Sequence, residues 1–331
     1  MRITNNMMTN SFNRDMKRNL GHMQKLRDQL TSGKEIRKPS DNPFKAARSM
    51  QLHSDIQANT QYNTNITDTI NHLETTDVAL EQLTNVFQRV RELMVSSGNA
   101  AYGSDERNAI NDEINEKVNE VSQILNTSFD GKYIFGGTKS GSKPVKSFED
   151  PITGNNILAF AGKEGETLDR NSDDITVQNQ IKMIGQDLEA EISQGVSVAY
   201  NVNAMDVLIF KNEDGNEVNV MDLISDITSN INSDNPNNND KVTNENLGSM
   251  DQVIKNLLRV RSEVGAMQNR MESAEIQNEE ENFNMKQILS KNEDIDLTEK
   301  TIEVSTAQTV YMASLQVSAK ILQPTLMDYL R

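Results

Sequence analysis

Between Met250 and Ala274 the apolar residues Met250, Val253, Leu257, Val260, Val264, Met267, Met271 and Ala274 recur at alternating steps of three and four. This heptad repeat places one narrow apolar seam along one side of a helix. Burying a seam residue returns about 1.5–3 kcal/mol, whereas ordering each backbone residue costs about 1–2 kcal/mol. Eight seam positions cannot carry so long a helix alone, and it must dock. A second seam runs through Ile66, Ile70, Leu73, Leu80, Leu83, Phe87, Val90 and Met94 and is its expected mate within the chain. Two segments far apart in sequence therefore close one helical core.

Composition agrees with that architecture. Only 35% of the 331 residues are hydrophobic and 5% aromatic, with no Trp, which fits long helices sharing narrow seams better than a large enzyme core. Both chain ends continue the helical pattern. Phe12, Met16, Leu20, Met23, Leu26 and Leu30 draw a stripe that Gly33 ends, and Pro39 and Pro43 bar its continuation. Asn42 followed by Pro43 starts the next helix, Gly98 and Gly103 break it, and Ser104 caps a third, with Ile110, Ile114, Val118, Val121 and Leu125 as its stripe. A last helix follows Asn292-Glu293-Asp294, with Val304, Ala307, Tyr311, Leu315 and Leu322 in line. The two terminal stripes have no clear mate, so they are expected to pair with each other or with neighbouring subunits.

From Gly131 to Leu247 short apolar runs alternate with turn signals. Lys132–Phe135, Asn156–Ala161 and Val207–Phe210 read as strands, with hairpins and with helices around 177–193 and 219–232. The polar run Ser233–Asp240 reads as a loop tip. The fold expected is α+β: a long coiled-coil-like helical bundle formed by the N- and C-terminal segments, with an inserted, mostly β middle domain. The expected division is 1–42, a terminal assembly segment; 43–130 with 248–291, a helical core; 131–247, a β-rich outer domain; and 292–331, a C-terminal assembly helix.

The chain carries 33 Lys/Arg against 49 Asp/Glu, a net charge of −16. That argues against nucleic acid or an anionic membrane as the main partner. Residues 1–50 are the exception: eleven Lys/Arg against four acids give +7, leaving −23 on the rest. Without Arg–aromatic interleaving, this basic head reads as a solvated helix face. No Cys is present, which excludes disulfides and thiolate chemistry. Neither a signal-peptide stretch nor an apolar run long enough to span a membrane is seen, so export without a cleaved signal or retention in the cytosol is expected. His22, His53 and His72 form no metal-ligand array and read as surface or flanking residues. Asp173-Asp174 and Glu279-Glu280-Glu281 point in different directions or form solvated faces rather than catalytic pairs. No catalytic, metal or cofactor site is expected.

Four strings go beyond periodicity: Met1-Arg2-Ile3-Thr4; Leu30–Ile36 with Pro39-Ser40-Asp41-Asn42-Pro43; Gly131-Lys132-Tyr133-Ile134-Phe135-Gly136-Gly137-Thr138; and Val264–Met271. With them the chain resembles the flagellin family over roughly 1–140 and 248–331, and within it the hook–filament junction proteins. Gln88–Leu93 and the final Arg331 are flagellin-like instead. The resemblance implies a structural adaptor joining hook to filament in the extracellular bacterial flagellum, assembling through its terminal stripes. It implies as partners other copies in a ring, hook-associated protein 1, flagellin and a flagellar export chaperone. A filament-forming flagellin is the alternative; a cytosolic coiled-coil binding module is a third reading.

Overall fold

The computed structural model describes residues 5–98, 103–151, 153–212, 215–231 and 241–321. In chain order, helices α1 (Asn5–Ser32), α2 (Pro43–Ser97) and α3 (Ser104–Leu125) lead into a hairpin of β1 (Ser128–Phe129) and β2 (Lys132–Tyr133). Strands β3 (Val145–Glu149), β4 (Asn156–Ala161) and β5 (Thr167–Leu168) follow, then α4 (Ile175–Ile184), β6 (Glu189–Ser193) and β7 (Val196–Ala199). The middle region ends with α5 (Ala204–Leu208), β8 (Ile209–Lys211), β9 (Glu217–Asn219) and α6 (Val220–Ile231). A π-helical turn (Lys241–Asn246) opens into α7 (Leu247–Glu293), and α8 (Leu297–Ile321) closes the described chain.

Local chemistry sets most of these limits. Asn42 accepts from the Lys45 amide at 3.2 Å and Pro43 fills the first position of α2. Gly103 precedes α3, and its amide donates to the Glu106 carboxylate at 2.9 Å, so the cap lies one residue before the expected Ser104. Asp174, part of the acid pair, accepts from the Thr176 amide at 2.8 Å and caps α4. Asp296 serves α8 in the same way through the amides of Thr298 and Glu299.

The chain forms two compact units, Met1–Thr60 with Glu280–Arg331, and Gln61–Glu279. In the second unit both heptad seams join the middle region in one apolar core. It includes Ile66, Leu73 and Phe87 of α2, Val118 of α3, Phe135, Phe160 of β4, Ile227 of α6, and Val253 and Met271 of α7. Cross-links between α2 and α7 run antiparallel: Arg91 meets Asp251 at 2.5 Å, Arg261 grips Asp77 at 2.7 and 3.1 Å and Glu81 at 2.8 Å, and Thr67 meets Glu275 at 3.1 Å.

The middle region consists of small antiparallel sheets with short helices: β1-β2, β3-β4-β5, β6-β7 and β8-β9. Asp130 and Gly131, both at positive φ, make the two-residue turn that matches strand twist in the first hairpin. Three expectations change here. The helix expected over 177–193 stops at Gly185, and Glu189–Ser193 is a strand paired with Val196–Ala199 across Gly195. Val207–Phe210 divides between the end of α5 and the start of β8. Only Lys132 and Tyr133 of the expected strand 132–135 pair, while Ile134 and Phe135 turn into the core. Ser233–Asp240 lies outside the described residues.

Candidate assembly interface

The first unit is tied together by its two interhelical connectors. Gly33, at φ +70°, ends α1 and turns the chain so that Lys34 bridges Asp294. The Glu35 amide donates to the Glu293 carbonyl at 2.6 Å, and the Ile295 amide to the Gly33 carbonyl at 3.1 Å. The connector after α1 and the connector before α8 thus form a minimal antiparallel ladder.

Glu293 sits at its centre. Its carboxylate, 10% exposed, accepts from Lys34 Nζ and lies 3.2 Å from His53 Nε2. Burial pushes this carboxyl up, but Lys34, Ser49 and His53 outweigh burial and hold it below its ordinary value. Asn292 fixes the same joint to α2, donating to the Lys45 carbonyl at 2.9 Å and to Ser49 Oγ at 2.7 Å. Gln29 donates to the Glu35 carbonyl at 2.7 Å, and Arg37 meets Asp28 at 2.8 Å. The loop Lys34–Asn42 is therefore a structured clamp. Backbone N–H donation from Lys38, and more weakly from Arg37, holds the Asp41 carboxyl below its usual value despite some desolvation, with Lys25 nearby.

From this joint α1 and α8 run side by side in opposite directions. A groove of about 650 Å³ opens along them, lined among others by Asn19, His22 and Leu26 of α1 and by Lys300, Ala307 and Val310 of α8. Of the predicted stripe on α1, Leu26 is buried, Phe12, Met16, Met23 and Leu30 are half-buried, and Leu20 is 45% exposed. On α8, Val304, Ala307 and Tyr311 are half-buried, Leu315 is 43% exposed, and Leu322 lies outside the described residues. The positions that continue the shared face are Asn19 and Gln29 on α1 and Ser314 and Ser318 on α8. Their polarity hid them from a search for apolar residues, although their spacing was readable.

The seam residues all lie inside the second unit. Ile66, Leu73, Leu80, Leu83, Phe87, Val90, Met94, Met250, Val253, Leu257, Val260, Val264 and Met271 are buried, and Ile70 and Met267 are half-buried. Arg89, beside Val90, is occupied by Glu92 at 3.0 Å and Glu113 at 2.8 Å.

One histidine departs from expectation. His72 is not a surface or flanking residue: its ring packs edge-on against Phe129 (6.3 Å) and Tyr200 (5.1 Å), and burial lowers its pKa to about 4. His22 and His53 remain exposed. Among the described residues no group of three His, Cys, Asp or Glu is placed to hold a metal ion, and no helix is long and apolar enough to cross a membrane.

Comparison with known proteins agrees with this geometry. Residues 3–140 match the bacterial flagellin N-terminal helical region and residues 247–330 the bacterial flagellin C-terminal helical region, together more than half of the chain. A flagellin of Clostridium tyrobutyricum is 30% identical over 46% of this chain and 41% of its own length. Flagellar hook-associated protein 3 of Salmonella typhimurium is 27% identical over 44% of this chain and 46% of its own. The chain thus matches less than half the length of these two relatives. Among solved structures, a flagellar hook-associated protein from Vibrio parahaemolyticus superposes with a TM-score of 0.59 at 17% identity, covering 77% of this chain and all of that one, which shows a shared fold. The chain belongs to the flagellin family, and it is a structural component of the bacterial flagellum rather than an enzyme.

Proposed function

We propose that this protein is the hook–filament junction subunit, the counterpart of hook-associated protein 3, and that it assembles through α1 and α8. The observation that carries this reading is the surface of α8. Residues 304–319 carry no charge at all in a chain that is 25% charged. One face of α8 meets α1, while Ile302 and Val310 stay exposed at the edge of the groove and Met312 and Val317 stay exposed outside it. A helix that is apolar or uncharged all round belongs in a buried setting, and α1 alone covers too little of it. Neighbouring copies supply the missing cover.

The rest of the reading follows from this. The ring of copies meets hook-associated protein 1 on the hook side and flagellin on the filament side. An export chaperone shields the same faces inside the cell. A Cys-free chain whose terminal helices need partners suits passage through the flagellar channel without a cleaved signal. The likeness to hook-associated protein 3 supports the junction role. The likeness to flagellins supports a second reading, a filament subunit. Immunogold labelling of sheared flagella separates the two: label confined to the hook tip supports the junction, and label along the whole length overturns it in favour of the filament.

A further inference from the structure

Within the unit Gln61–Glu279 a cleft of about 680 Å³ opens between α2 and the first hairpin. Its α2 side is a single stripe, Asn65, Asp68, Thr69 and His72, at the spacing that sets residues one above the other on a helix face. The β1-β2 hairpin supplies Phe129, Asp130, Lys132 and Tyr133, and Tyr200, just after β7, adds a third side. The ring of His72 stands edge-on to Phe129 and to Tyr200, at 88° and 89°, and so ties both rings to α2. Asn65 is held as well, accepting from Gln61 at 3.1 Å and donating to the Glu191 carbonyl at 3.0 Å. The walls of the cleft are therefore preset.

Other polar groups of the cleft are uncommitted. The carboxylates of Asp68 and Asp130, the ammonium of Lys132 and the hydroxyls of Tyr133 and Tyr200 make no hydrogen bond or ion pair among the described residues. Further along α2, by contrast, Asp77 pairs with Arg261 and Arg91 with Asp251. Tyr200 and Asp68 face the same space: burial first, and then the Asp68 charge, raise the pKa of that hydroxyl. An apolar ligand would take these groups out of water and return no hydrogen bond. An anion meets two carboxylates, and a cation meets Lys132. A neutral polyhydroxyl ligand donates to the carboxylates, accepts from Lys132 and the phenols, and lays its C–H faces on the aromatic rings. The volume falls within the range of about 300–1,000 Å³ usual for small-ligand sites. We propose that this cleft binds a short neutral saccharide, hydrogen-bonded by Asp68, Asp130 and Lys132 and packed on Tyr133 and Tyr200. It uses no residue of α1 or α8, so it goes beyond the assembly reading and does not rest on it.

Saturation-transfer NMR on the purified full chain tests this. The saccharide probes are cellobiose, lactose and N,N′-diacetylchitobiose, and the charged probes are tetramethylammonium and citrate. At least one saccharide binds. Asp68→Ala and Lys132→Ala, both at exposed positions where the fold tolerates change, each weaken that binding at least about tenfold, and Tyr133→Leu does the same. Asp173→Ala, outside the cleft, leaves it unchanged. Saccharide binding that survives both Asp68→Ala and Lys132→Ala puts the ligand elsewhere and overturns the proposal. Binding of tetramethylammonium or citrate without any saccharide overturns the ligand class, and silence from every probe up to about 10 mM overturns the site.

Discussion

A Cβ on Gly137 would lie 2.4 Å from the carbonyl oxygen of Ile184, at the C-terminal end of α4. Gly137 also has φ +55°, and the next residue, Thr138, donates both its amide and its hydroxyl to the Met183 carbonyl at 3.0 Å. The Gly136-Gly137 string is therefore where the chain leaving the first hairpin docks under α4. Gly137→Ala meets both a left-handed backbone and a closed contact. We expect it to destabilise the 61–279 unit by about 2–4 kcal/mol, read from the denaturation midpoint. Gly131→Ala, with open space around its Cβ, meets only the backbone term and costs about 1–2 kcal/mol. Equal losses at the two sites would refute the docking account.

Glu293 joins Lys34 and His53 at the joint between the terminal helices. Lys34 is half exposed, so solvent screens the pair and its loss costs about 1 kcal/mol. Glu293→Gln should raise hydrogen exchange in α1 and α8 together and leave the amides of α3 and α6 unchanged. A change confined to α8 would show that the ladder does not couple the two helices.

His72 gives the second unit an acid-sensitive point. Its pKa is about 4 in the fold and 6.5 as a free side chain, so the unfolded chain binds more protons between these values. Stability from this group is complete above pH 6.5 and is lost as pH falls toward 4, by about 3 kcal/mol. His72→Phe should flatten that part of the stability–pH curve relative to wild type. A variant that keeps the full wild-type slope from pH 6.5 to 4 would place its origin in other groups.

Met312 and Val317 lie on the surfaces of α8 that assembly is proposed to cover. Replacing both by Asp should leave the monomer's stability within about 0.5 kcal/mol, since both are exposed there. Incorporation into flagella should fall by at least about 100-fold. Undiminished incorporation would remove this face from the interface.

The long helices were readable because a heptad seam buries one side wherever it occurs, and Met250 to Met271 shows that periodicity without interruption. At two points the terminal stripes leave the face that α1 and α8 share, for one geometric reason. Leu20 follows Phe12 and Met16 by two successive steps of four, and Leu315 follows Ala307 and Tyr311 in the same way. Each step of four overshoots a full turn by about 40°, so both leucines rotate off the shared face, and Asn19 and Ser314 take their places. The strand Glu189–Ser193 was hidden by apolar spacing that also suits a helix, although Gly185 and Gly195 punctuate it. His72 was illegible, because Phe129 and Tyr200, which enclose it, are remote in sequence and reach it only through tertiary packing.

The central claim is that the uncharged surface of α8 is completed by neighbouring copies. Hydrogen exchange over residues 304–319, compared between the dilute monomer and sheared flagella, tests it most directly. The account predicts fast exchange in the monomer and strong protection in the flagellum. Strong protection already present in the dilute monomer, unchanged on assembly, would contradict it.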